Sequence, residues 1–287
     1  MSVSQRTFAL LLAMTPGVGG RSVVRVLARN GVLDRSPEDF FKLSAEALRE
    51  EYLLSARASL MLAGGKRQME SVLEMERRLT GLGVGLVTSA DAHYPKLVEE
   101  MASDPPGVLF LYGNTKLLEA RTAAVMGSRG SSPADLDRME KLAEAAVLDG
   151  EIIVAGHDRP EYQRTAIVPL RWGAPRVLCL DRGLFRVLGP DLKDEAFRAA
   201  RLWRYQFDPE TDLVVSPFRP DSDFVGINNK VRDLLVGCLA RRIDLVHVGP
   251  GGNMARIGRL ALKAGRAVRA PAGDALIDLG AVPLPAD

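Results

Sequence analysis

Apolar residues along the first eighty positions recur at helical spacing. From Gln5 to about Thr80 they fall three and four apart, and the run is interrupted at Pro16-Gly17, Asn30-Gly31 and Ser36-Pro37, where turn-forming residues cluster. That texture predicts short helices and no strand. After Gly81 it changes to short apolar or β-branched runs: Val84 to Thr88, Val108 to Tyr112, Ala123 to Met126, Ile152 to Ala155, Arg176 to Leu180, Leu213 to Ser216, Leu245 to Val248 and Ala267 to Ala270. Near-continuous apolar runs suit strands covered on both faces, and the helices between them supply crossover connections. Those helices are expected over Pro133 to Asp149, Tyr162 to Trp172, Phe224 to Arg242 and Asn253 to Ala264. The pattern predicts an α/β protein: a Rossmann-like, doubly wound, mainly parallel sheet over 82–287, preceded by a small all-helical domain over 1–81.

Composition fits that plan, since 287 residues with 47% apolar content can bury one large core and a smaller satellite. Lys and Arg number 38 against 36 Asp and Glu, leaving +2, so the molecule as a whole is no polybasic nucleic-acid binder. An anionic partner must meet a local patch. Phe224 to Gly273 offers one, with nine basic residues against only Asp233 and Asp244. The same residues also read as an ordinary solvated helix face. Cys179 and Cys238 both lie inside apolar runs, as buried free thiols of a reducing compartment do. The apolar stretch Phe8 to Met14 is too short to span a bilayer, so no membrane partner and a cytoplasmic location are expected.

The strongest local chemistry is Val125-Met126-Gly127-Ser128-Arg129-Gly130-Ser131-Ser132-Pro133. A buried strand ends at Gly127, while Ser132, Pro133 and Asp135 occupy the N-cap, first-turn and N3 positions of the next helix. Free amides, the helix dipole, the hydroxyls of Ser128 and Ser131 and the Arg129 guanidinium would converge on an anion, for which phosphate is the natural choice. A plain strand-to-helix turn is the alternative. Asn228-Asn229-Lys230-Val231-Arg232 opens another helix, with Asn229 and Lys230 able to meet phosphate or a base edge. Gly249-Pro250-Gly251-Gly252-Asn253 follows one more buried strand, and its glycines let a ligand approach the backbone closely. Arg256, Arg259, Lys263 and Arg266 then continue as a basic helical face. Thr15-Pro16-Gly17-Val18-Gly19-Gly20 joins two helices in the manner of a helix-hairpin-helix or sterile-alpha-motif-like element, serving either packing or phosphate contact. Trp172 and Trp203 could stack on bases or pack in the core.

The missing patterns weigh against catalysis. There is no G-x-G-x-x-G after a strand and no G-x-x-x-x-G-K-[ST], so a dinucleotide cofactor and a P-loop are unsupported and no cofactor is expected. His93, His157 and His247 are not spaced as metal ligands, and Ser128 is not in a G-x-S-x-G elbow. A phosphoribohydrolase would need a G-G-G-x-G-T-x-x-E motif, and Gly249 to Met254 lacks its threonine and glutamate.

Several segments, in this order, resemble the bacterial DNA-processing protein A family (DprA, or Smf). They are His93-Tyr94-Pro95 with Leu97, and Asp104-Pro105-Pro106 followed by Val108-Leu109-Phe110 and Gly113-Asn114. Gly127-Ser128-Arg129 with Ser132, and Phe224 with Asn229-Lys230-Val231, come next. The last is the closing run from Leu245 to Val248 through Gly252, Ala261-Leu262, Gly265-Arg266 and Val268 to Ala270-Gly273. The resemblance implies a non-enzymatic protein that binds single-stranded DNA and assists the loading of RecA onto it during transformation or recombination, commonly as a homodimer through the Rossmann domain. Taken with the reading of the loops above, the candidate contacts are Gly127, Ser128, Arg129, Ser131, Ser132, Arg159, Asn229, Lys230, Gly252, Asn253 and Arg256. The family's central Ser-Gly-x-Ala-Arg-Gly-Ile-Asp motif reads Ala155-Gly156-His157-Asp158-Arg159-Pro160 here, keeping only the glycine and the arginine. The sequence stops at Asp287, so the winged-helix domain of many relatives is not expected. These departures also suit a diverged member that regulates a phage-defence or toxin–antitoxin module, binding DNA or a nucleotide together with a cognate toxin or defence protein.

Overall fold

The computed structural model describes residues 3–64, 66–102 and 105–286. The chain divides into two compact units. One comprises the chain up to Tyr94 plus the stretch ending at Leu111, and the other holds the short segment after Tyr94 and everything from Tyr112 onward.

In the first unit six helices follow one another: α1 (Gln5–Met14), α2 (Gly20–Val32), α3 (Pro37–Phe40), α4 (Ala45–Tyr52), α5 (Ala56–Leu62) and α6 (Lys66–Gly81). Ser4, Ser36, Ser44 and Ser55 each cap one of them by accepting the amide three residues on, which satisfies a donor that the helix start leaves orphaned. Phe8, Phe40 and Tyr52 are fully buried and, with Phe41, meet edge to face at 5.1 to 5.9 Å, the arrangement that ring quadrupoles favour. The turn from Thr15 to Gly20 packs against backbone: a Cβ at Gly20 would sit 2.5 Å from Gly107 N. β1 (Gly85–Thr88) pairs antiparallel with the start of β2 (Val108–Gly113), Thr88 facing Val108. Buried Tyr94 donates its hydroxyl to the Pro106 carbonyl, which fastens the His93-Tyr94-Pro95 stretch locally. Asp104, the first residue of the following motif, lies outside the described residues.

The second unit holds the parallel sheet. Its elements are α7 (Lys96–Met101), β3 (Thr122–Gly127), α8 (Pro133–Leu148), β4 (Ile152–Gly156), α9 (Pro160–Arg171), β5 (Arg176–Cys179), α10 (Leu184–Val187), β6 (Leu213–Ser216), α11 (Asn228–Leu239), β7 (Arg242–His247), α12 (Asn253–Lys263), β8 (Ala267–Ala270) and β9 (Val282–Pro283). The strands lie in the order β6-β5-β4-β3-β7-β8-β9. Parallel pairing joins β3 to β4 and β7, β4 to β5, β5 to β6, β7 to β8 and β8 to β9. From β3 the chain builds outward to β6, then returns through α11 to the opposite side of β3. The loops leaving β3 and β7 therefore diverge from adjacent strands, the position where open α/β sheets hold ligands. Helices α8 and α9 pack together, and α11 packs with α12 and α7, so both faces of the sheet are covered.

Two of the expected elements start three or more residues away from the sequence expectation. β7 begins at Arg242 rather than Leu245, because Asp244 is buried inside the strand against Arg242 and Arg269, and charge pairing replaces the apolar signal. α11 begins at Asn228, leaving exposed Phe224, Val225 and Ile227 in the loop before it. At the opposite edge, where strands start, fully buried Arg176 donates to Asp212 at 2.8 Å, to Glu195 at 2.7 Å and to the Ala166 carbonyl at 3.0 Å. That cluster pins the long connection between β5 and β6 to the sheet. Among the described residues no helix is long and apolar enough to cross a membrane.

Candidate functional site

Loops leaving the carboxyl ends of β3, β4, β5 and β7 meet the first turns of α9, α11 and α12 in one polar cluster. Ser128 N donates to the His247 carbonyl at 2.8 Å, and Gly249 N donates to Ser128 Oγ at 2.9 Å, so this one residue ties the two loops across the switch point. Ser131 Oγ donates to the Ser128 carbonyl at 3.0 Å. Ser132 caps α8, accepting from Asp135 N at 3.1 Å while its own amide donates to the Asp135 carboxylate at 2.8 Å, with Pro133 in the first turn, as the residue spacing predicts. Gly252 caps α12 and donates its amide to the Gly249 carbonyl at 3.0 Å. The three serine hydroxyls thus shape the turn. What remains turned outward is Arg129, exposed and without a hydrogen bond or ion pair among the described residues.

Beneath this rim lies a buried ionic network. Arg232 is fully buried, stacks 4.8 Å from the centroid of the Tyr162 ring, and donates to the His157 carbonyl at 2.6 Å, to Asp181 at 3.1 Å and to Asp233 at 2.9 Å. Tyr162 Oη donates to the same Asp233 at 2.7 Å. Asn253 Nδ2 reaches the other Asp233 oxygen at 3.0 Å, and Arg256 donates to Asn253 Oδ1 at 3.1 Å. Gly156 is needed because a Cβ there would meet the Tyr162 ring at 2.6 Å and Arg232 at 2.8 Å. Arg159 lies 3.2 Å from Glu161 and 4.0 Å from Asp233, and its buried Nη2 makes no hydrogen bond among the described residues. Asn228 donates to the Asp181 carbonyl at 2.8 Å, which seats the start of α11 on the loop after β5. Asn229 is half-buried beside it, and Lys230 is exposed with no partner among the described residues.

Burial alone would raise the Asp181 carboxyl, but hydrogen bonds from His157 and Arg182 outweigh it and hold the group down at about 2. Burial beside Asp233 pushes the Tyr162 phenol far up, so it stays a neutral donor. Burial also raises both thiols, Cys238 to about 12, which leaves them inert as nucleophiles at neutral pH. Among the described residues one set of metal-capable donors, His157, Asp158 and Asp181, gathers within 4.8 Å. Arg182 pairs with both carboxylates and Arg232 with Asp181, so guanidinium groups already supply the positive charge there.

The eleven residues singled out from sequence fall into three groups. Gly127, Ser128, Ser131, Ser132 and Gly252 build the two loops, Arg159, Asn253 and Arg256 join the ionic network, and Arg129, Asn229 and Lys230 belong to neither, Arg129 and Lys230 being exposed and without a partner among the described residues. Sequence reasoning missed Tyr162, Asp181 and Asp233, and placed Arg232 only as the end of the helix-opening run from Asn228. Their signal was charge where the pattern is apolar: an Asp directly after the Val177 to Leu180 strand, and an Arg-Asp pair in the middle of an otherwise apolar helix.

Residues 85–159, from β1 to the network arginine, match the family model for DNA recombination-mediator protein A. No curated protein sequence matches the chain. DNA processing protein A from Streptococcus pneumoniae shares the fold over 99% of this chain and 95% of its own, with TM-score 0.65 and 19% identity. DNA processing protein A from Helicobacter pylori, whose structure describes a single-stranded DNA binding mode, is similar over 65% of this chain and 80% of its own, with TM-score 0.50 and 18% identity. The family match thus lies in segment 85–159, and over nearly its whole length the chain shares the fold of the Streptococcus pneumoniae protein.

Proposed function

We propose that this protein binds single-stranded DNA, without catalysing a reaction on it, along the carboxyl edge of its parallel sheet. One observation carries the reading: Arg129, in the loop before α8, and Lys230, in the first turn of α11, are exposed and without a partner among the described residues, above a polar cluster whose buried charges are ion-paired. Ion pairs consume the charge below them, so these two cations and the helix-start amides are what a phosphate chain would meet. The match of residues 85–159 to the recombination-mediator family model and the single-strand binding described for the Helicobacter pylori protein support it. Within this reading the protein acts in the cytoplasm, as a homodimer, and delivers the bound strand to a RecA-type recombinase. Buried thiols and the fully paired Asp181 and Asp233 offer no activated nucleophile at the site.

Titration of a labelled thymidine oligonucleotide tests the proposal. Binding tightens as salt falls, free nucleotides compete poorly, and duplex competes less well than single strand. Absence of single-strand affinity at low salt overturns it.

A further inference from the structure

The first unit holds a cavity of about 990 Å3 between α1, the end of α2 and β1. Ala9, Leu27 and Leu86 contribute apolar wall to it, and Arg6, Asn30 and Asp34 contribute polar groups. Asn30 is 5% exposed, and its hydrogen bonds fix which way its amide is turned. Arg35 donates to the Tyr52 hydroxyl at 2.5 Å and to Glu51 at 2.8 Å. Tyr52 therefore keeps its own proton for Asn30 Oδ1, which it reaches at 2.6 Å. Nδ2 of Asn30 is then a buried donor, and it has no partner among the described residues. Buried donors in folded proteins are matched by an acceptor. The charges at the cavity divide into used and unused. Glu38 accepts the Val3 amide, and Asp91 accepts both the amide and the hydroxyl of Thr88. Asp34 is exposed with no side-chain partner among the described residues, and Arg6, also exposed, donates to the Val84 carbonyl at 3.1 Å and to no carboxylate among them. The Arg35 amide donates to the Asn30 carbonyl at 2.9 Å, which folds the chain back after α2 and keeps Asp34 beside the helix end.

An unmatched amide donor, a carboxylate, a guanidinium and apolar wall together complement a nucleotide. The base has to present an acceptor to Asn30, because the oxygen that would accept an amino group is turned to Tyr52. Adenine, which asparagine reads through N7 and the N6 amino group together, is thereby disfavoured, whereas guanine offers N7 and O6 as acceptors. Guanine also carries N1–H and the N2 amino group beside O6, two donors that one carboxylate can take together. The cavity is of a size that holds small ligands, about 300–1,000 Å3, and mixes apolar wall with a few polar groups as such sites do. We infer that the first unit binds a guanine mononucleotide, with O6 or N7 at Asn30, the N1 and N2 donors at Asp34 and the phosphate at Arg6. This site is independent of strand binding along the parallel sheet of the second unit.

Equilibrium dialysis of GMP, UMP and AMP against the full chain carrying Arg129→Ala and Lys230→Ala tests the inference with the cations of the rim removed. GMP binds about tenfold tighter than AMP, and UMP, whose base has an acceptor beside a single donor, falls between them. Asp34→Asn, at an exposed position whose left-handed backbone (φ 50°) asparagine also adopts, weakens GMP about tenfold while the far-ultraviolet circular dichroism is unchanged. Arg6→Gln weakens GMP but leaves guanosine unchanged, because only the phosphate loses its partner. Equal affinity for GMP and AMP overturns the inference, as does GMP binding that both substitutions leave intact, or no binding of any of the three. Titration of the wild type with oligothymidylate, which carries no guanine, reads strand binding separately, so either reading can fall without the other.

Discussion

At the scale of single residues, the site divides between groups that are used up and groups that are free. Arg129 has no structural task, so Arg129→Ala leaves the unfolding midpoint within experimental scatter and weakens single-strand binding about threefold to tenfold at low salt. Equal loss of stability and binding would assign it to the fold instead. Asp181 behaves in the opposite way. Its carboxyl titrates near 2 in the folded chain against an ordinary 3.8, so the pairing with His157, Arg182 and Arg232 is fully present above pH 4 and is lost as pH falls through about 2. The wild type therefore loses about 2 kcal/mol more than Asp181→Asn between those limits, measured by denaturant unfolding at stepped pH. A parallel decline of the two proteins contradicts the assignment.

At the scale of elements, the turn after β3 shows why a readable motif need not use its side chains as a sequence suggests. Ser132, Pro133 and Asp135 were legible as a helix start because capping chemistry is local, and the structure has the same capping box. Ser128 and Ser131 were legible as polar groups at a strand end; Ser131 bonds locally to the Ser128 carbonyl, but the partner of the Ser128 hydroxyl, the Gly249 amide, depends on which strands are neighbours. Ser132→Ala accordingly lowers stability by about 1 kcal/mol while single-strand affinity stays near the wild-type value, because the hydroxyl serves the cap. A binding loss exceeding the stability loss would return that hydroxyl to the ligand. The strand starts carry a second lesson. Arg176 reads as the edge of an apolar run, yet it is fully buried between Asp212 and Glu195, which the sequence brings no nearer than 19 residues. Arg176→Met strands two carboxylates, and denaturant unfolding should show a loss of about 3–5 kcal/mol.

For the molecule as a whole, the alternation of apolar runs and helices was enough to give a parallel doubly wound sheet after a helical region, because strands covered on both faces leave a strong signal. Strand order was not legible, nor was the short β9, whose two exposed residues carry no apolar pattern. The ionic network under the site was hidden for the same reason: Arg232 and Asp233 are adjacent in sequence, but their partners His157, Tyr162, Asp181 and Asn253 come from other elements. With net charge only +2, affinity for a polyanion has to come from a few placed cations rather than from the overall field. The most direct measurement is the dependence of single-strand affinity on salt for the wild type and for Arg129→Ala combined with Lys230→Ala. Two lost phosphate contacts should reduce the slope of log affinity against log salt by roughly 1.4. An unchanged slope would mean that the strand does not lie on this rim.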